Sequence, residues 1–136
     1  MRVARTAFEN LRVYQLAEQL AQRCWKMSKK WPAFDRETLG RQLVRAADGI
    51  GANIAEGFGR GNGPDHKRFI RIARGSLCEV KHWLRLAYGR DLVRDEDVLV
   101  LKPLMDELAP KLNAYLKAIG RRPSTINIPQ STIRTR

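Results

Sequence analysis

A chain of 136 residues that is 43% hydrophobic and 29% charged has the length of one domain and enough apolar side chains to bury a core, which excludes wholesale disorder. Its 26 Lys and Arg against 14 Asp and Glu give a formal net charge of +12, a balance that points to a polyanion, RNA or DNA before membrane. Cys24 and Cys78, without close spacing, make neither a disulfide framework nor a zinc site.

No apolar run approaches the ~18 residues that a membrane span needs, and residues 1–10 lack the apolar centre of a secretory signal. The expectation is a cytoplasmic protein with reduced thiols, neither exported by that route nor anchored. Over residues 11–31, Val13, Ala17, Leu20, Cys24, Met27 and Trp31 recur at alternating steps of four and three, the stripe of an amphipathic helix. Pro32 should stop it, because proline lacks the amide proton that a continuing helix uses. The second stripe covers residues 37–58, with Leu39, Leu43, Ala46, Ile50, Ile54 and Phe58 on one side. Gly40, Gly49, Gly51 and Gly57 lower its intrinsic helix propensity, but small residues let another helix approach closely.

Residues 59–63, Gly-Arg-Gly-Asn-Gly, read as an interhelical turn, with Pro64 suited to the first turn of the next helix. They superficially resemble a phosphate loop, yet carry neither the dinucleotide fingerprint nor the lysine of a Walker loop, and no strand precedes them. The third helix is predicted over 65–88, burying Phe69, Ala73, Leu77, Val80, Leu84 and Ala87, with Gly89 as its C-terminal cap. The fourth is predicted over 95–119, with Asp95, Glu96 and Asp97 at the positive end of its dipole and Leu101, Met105, Leu108, Leu112, Tyr115 and Ile119 in the core. Pro103 and Pro110 predict a kink or even a break. Four helices joined by short connections predict an all-α protein, an antiparallel up-down four-helix bundle over 1–120. The polar tail 121–136 is expected to be disordered when free. Trp25, Trp31 and Trp83 are expected to expose apolar area to a partner.

The positive charge is placed rather than spread. Residues 60–90 carry eight basic and two acidic side chains, residues 1–34 seven and two, and the tail four and none. On the third helix Lys67, Arg71, Arg74, Lys81 and Arg85 share an arc away from the apolar stripe, and on the first Arg12, Arg23, Lys26 and Lys30 do the same. An ordinary solvated face would mix signs to form i,i+4 pairs. With Arg60 on the turn and Arg68 beside Lys67, these residues are the candidate nucleic-acid contacts. They neutralise phosphates without reading bases, so binding should be salt-sensitive with modest sequence preference.

Nothing in the sequence calls for catalysis, a metal or a cofactor. Glu79 and His82 form a single Glu-x-x-His pair, whereas di-iron bundles need two such pairs and further inward glutamates. Neither His66 nor His82 belongs to a nucleophile motif. Cys24 lies on the apolar stripe, and Cys78 lies near the basic arc, where its thiol could be activated.

The segments FENLRVYQLAEQLAQRCWKM, LGRQLVRAADGIGANIAEGFGRG and FIRIARGSLCEVKHWLRLA together resemble the four-helix-bundle proteins encoded in intervening sequences of bacterial large-subunit rRNA genes. The run NIAEGFGR, residues 53–60, is their most specific part. That resemblance implies a homopentamer around a central channel, nucleic-acid binding by a basic outer surface, no catalysis, and structural roles for Asn53 and Glu56 near the turn. The same superfamily includes the accessory variability protein of diversity-generating retroelements, which implies the alternative of an adaptor that binds a reverse transcriptase and its template RNA. The strong positive charge and the basic tail set this chain apart from the family pattern.

Overall fold

The amphipathic periods fold as four long α-helices, α1 (Arg12–Ser28), α2 (Arg41–Phe58), α3 (Pro64–Gly89) and α4 (Asp95–Ala118), in a computed structural model that describes residues 8–121. The described residues contain no strand. Consecutive helices pack side by side and α1 closes the cycle against α4, so the chain is an all-α four-helix bundle, with α2 on α3 the most extensive pairing. Tail residues 122–136 lie outside the described residues.

Most of the core that periodicity predicts is buried, although Phe58 and Met105 are only half-buried. Val13, Leu20, Leu43, Ile50, Ile54, Leu77, Leu84, Leu108 and Leu112 are all buried, each large aliphatic side chain contributing about 1.5–3 kcal/mol by leaving water. Ile70, unmarked by the pattern, is fully buried, while Phe69 is only half-buried. The close fit of α2 on α3 depends on Gly57. A β-carbon there would lie 3.0 Å from His66 Cδ2 and from Phe69 Cβ, and 3.2 Å from the His66 carbonyl oxygen.

Several expectations need correction. The second helical stretch begins earlier than residue 37, with a single turn at Ala33–Asp35 and a π-helical turn at Arg36–Gly40 leading into α2. Gly89 is the last residue of α3 and not its cap. Arg90 caps the helix, and the left-handed conformation falls on Asp91 (φ 60°), a residue type that tolerates it. The Leu92 amide then donates to the Ala87 carbonyl at 2.9 Å. Pro103 and Pro110 do not break α4. Both are exposed, on a face where water can serve the carbonyls that lose their helical donors. Trp31 is buried, its indole N–H donating to the Leu92 carbonyl at 2.9 Å. Trp83 is half-buried and donates to Glu79 at 3.0 Å, so of the three tryptophans Trp25 alone is well exposed.

Candidate nucleic-acid interface

Helix geometry sets α3's cations in a row. At about 1.5 Å rise per residue, Arg71 and Arg85 stand about 21 Å apart along the axis, with Arg74 and Lys81 between them on the same arc. All four are exposed. Arg74 donates to Asn113 Oδ1 on α4 at 3.2 Å, which places the row on the α4 side of α3. Arg71, Lys81 and Arg85 make no side-chain hydrogen bond or ion pair among the described residues. Half-buried Lys67 prolongs the row toward the C-terminal end of α4, its stem lying beside Gly120.

The basic residues around the glycine-rich turn are engaged differently. Arg60 pairs with Glu56 at 2.9 Å and with Asp65 at 3.4 Å, and Arg68 pairs with Asp65 at 3.0 Å. Both guanidinium groups lie over the Phe69 ring, 5.0 and 4.5 Å from its centre, a cation–π arrangement. Asn53 donates through its amide to the Gly49 carbonyl at 2.7 Å. The run at residues 53–60 thus builds the α2–α3 turn: Asn53 bonds back into α2, Gly57 admits α3, and Glu56 and Arg60 begin a chain of charge pairs along the surface.

On α1 the predicted set divides. Arg12 forms a two-pronged bridge to Glu107 of α4, both bonds at 2.9 Å. That bond raises the Arg12 pKa and lowers that of Glu107. Arg12 therefore links two helices. Arg23, Lys26 and Lys30 are exposed and line one side of a cleft of about 440 Å³ whose other lining residues include Asp91, Glu96 and Asp97 together with Arg94, itself paired with Glu96. The α1 cations and the α3 row do not merge into one patch, because α4 runs between them.

Other candidate chemistry finds other employment. Glu79 of the Glu-x-x-His pair bonds Arg45 and Trp83, and no cluster of three or more possible metal ligands occurs among the described residues. Burial, with a smaller push from Asp48, raises the Cys24 thiol to about 12. Cys78 is exposed within the α3 row. No helix among the described residues is long and apolar enough to cross a membrane.

One surface escaped the sequence reading. On α4, Leu99 is 76% exposed and Val100 and Pro103 lie open beside it. These residues fall off the core stripe but share one side of α4, a second apolar face that the helical angles of its non-core positions carry.

A model of the family described as 23S rRNA-intervening sequence protein matches residues 9–114, from the turn before α1 to the last turns of α4. The chain belongs to that family. Among solved structures, a protein from Bacteroides thetaiotaomicron VPI-5482, described as of unknown function and from the S23 ribosomal protein family, matches with a TM-score of 0.66 and 21% identity. The match covers 78% of this chain and 99% of that one, and at that identity the likeness carries the fold. No curated protein matches.

Proposed function

We propose that this chain is a non-enzymatic, cytoplasmic nucleic-acid-binding protein whose principal contact is the α3 row of Arg71, Arg74, Lys81 and Arg85. The observation that carries the reading is that row itself: exposed cations of one sign, three of them without side-chain partners among the described residues. Membership of a family named for an rRNA intervening sequence favours RNA. The α1 cations are secondary contacts, since acidic side chains share their cleft. Arg60 and Arg68 are already held by the turn. Self-association, which the family resemblance implies as a pentamer, would repeat the row and strengthen weak contacts through avidity when one RNA reaches several copies. The adaptor reading, with a reverse transcriptase as partner, draws its support from the open apolar face of α4.

The test is titration of structured RNA and of duplex DNA at two salt concentrations. Affinity should fall steeply with salt, because each neutralised phosphate releases condensed counterion. Absence of binding by the folded protein at low salt would reject the reading.

A further inference from the structure

Where α1 ends and α3 turns into α4, the cleft of about 440 Å³ falls in the size range of small-molecule sites. Its lining is of three kinds. α1 contributes Arg23, Lys26 and Lys30, spaced three and four residues apart and so on one face over about 10 Å. The α3–α4 turn and the first turn of α4 contribute Asp91, Arg94, Glu96 and Asp97. The rest is apolar: Met27, Trp31 and Leu101, nearly all buried, with the more open Pro32 and Leu92.

Pairing within the cleft leaves its charges unequal. Arg94 takes Glu96 at 3.4 Å, and Asp97 accepts from the Arg94 backbone amide at 3.0 Å. Arg23, Lys26 and Lys30 make no ion pair or side-chain hydrogen bond among the described residues, and neither does the Asp91 carboxylate. Three free cations therefore stand with one free carboxylate beside apolar surface. Both sides are held in place before any ligand arrives. Asp91 sits in the left-handed conformation (φ 60°) with its amide donating to the Tyr88 carbonyl at 3.1 Å, and the Trp31 indole ties the end of α1 to the Leu92 carbonyl.

We propose that this cleft binds one ribonucleoside 5′-phosphate unit, its phosphate on Arg23, Lys26 and Lys30, a ribose hydroxyl donating to Asp91, and its base against Pro32 and Leu92. A phosphate gathers charged donors, and an ionised carboxylate only accepts, so it selects a ligand that brings a hydroxyl or amine. A base has an apolar face that gains by leaving water. A bare inorganic anion would use the cations alone and leave the carboxylate and the apolar lining idle, whereas a wholly apolar ligand would strand three cations. The same unit occurs as a free nucleotide and as the 3′-terminal residue of an RNA. Such binding is independent of the α3 row, from which α4 separates the cleft.

The experiment is calorimetric titration of the full chain at low salt, each variant being checked for helicity by circular dichroism. Adenosine 5′-monophosphate should bind more tightly than adenosine, than inorganic phosphate and than 2′,3′-dideoxyadenosine 5′-monophosphate. Lys26→Gln with Lys30→Gln, both exposed positions, should weaken the monophosphate about tenfold or more. Asp91→Gly suits the left-handed backbone and should bring the monophosphate down to the affinity of its dideoxy form. Arg71→Glu, Lys81→Glu and Arg85→Glu together should leave nucleotide binding as in wild type. A short RNA with a free 3′ diol that displaces the nucleotide, where its 3′-phosphorylated form does not, makes an RNA end the occupant; displacement by neither makes it the free nucleotide. Inorganic phosphate binding as tightly as the nucleotide, no loss in the lysine variant, or no nucleotide binding by folded wild type would overturn the site.

Discussion

His66 ties α3 to α4 at the end of the bundle occupied by the glycine-rich turn. Its ring is buried, its Nε2 shares a hydrogen bond of 3.1 Å with the Tyr115 hydroxyl, and its Nδ1 lacks a well-aligned partner among the described residues. Burial pushes the imidazole below its ordinary pKa, and the nearby Gly61 backbone offsets only part of that. The Tyr115 hydroxyl is pushed upward by its own burial and stays protonated. The unfolded chain therefore takes up a proton at His66 more readily than the folded one. Stability from this group is complete above about pH 6.5 and is lost as pH falls through that value toward the lower folded pKa. Urea unfolding at pH 7.5 and pH 5.5 should show wild type losing stability at the lower pH, whereas His66→Gln should show a smaller difference. An unchanged difference would remove His66 as its source.

The four helices differ in how much of their packing rests on single positions. In α2, Gly57→Ala sets a β-carbon against the α3 backbone and should cost about 1–3 kcal/mol, as overpacking does. In α3, a β-carbon at Gly75 meets nothing within 4 Å, so Gly75→Ala should stabilise by about 0.5–1 kcal/mol through helix propensity. Denaturant midpoints of the two variants should move in opposite directions. Element identity and core were legible because the apolar period of each helix agrees with its burial. Less legible were features decided by neighbours. Gly89 looks like a cap until Asp91 takes the left-handed position. Trp31 reads both as part of the α1 stripe and as a contact for a partner, and Leu92 of the α3–α4 turn decides for burial by supplying an acceptor. Pro103 and Pro110 read as a kink or at most a break, and the helix runs on through both by turning them outward.

Across the whole molecule, two basic surfaces flank α4, one on α1 and one on α3, and α4 itself presents an apolar face between them. The sequence reveals which helices carry the cations, because charge clustering is a one-dimensional property. It does not reveal which cations are engaged. Arg12 on Glu107, and Arg60 and Arg68 on the turn acids and Phe69, depend on side chains brought together from other turns and helices. Net charge alone would attract a polyanion to any face, so the decisive comparison separates location from total charge. Arg71→Glu, Lys81→Glu and Arg85→Glu together alter the α3 row. Lys29→Glu, Arg36→Glu and Arg41→Glu alter exposed positions near the α1–α2 connection by the same amount of charge. Titrated against one structured RNA over a range of salt, the α3 variant should lose most of its affinity, with a log–log salt slope shallower by roughly two to three, while the charge-matched variant keeps most of both. Equal losses in the two variants, or none in the α3 variant, would contradict a nucleic-acid interface on α3.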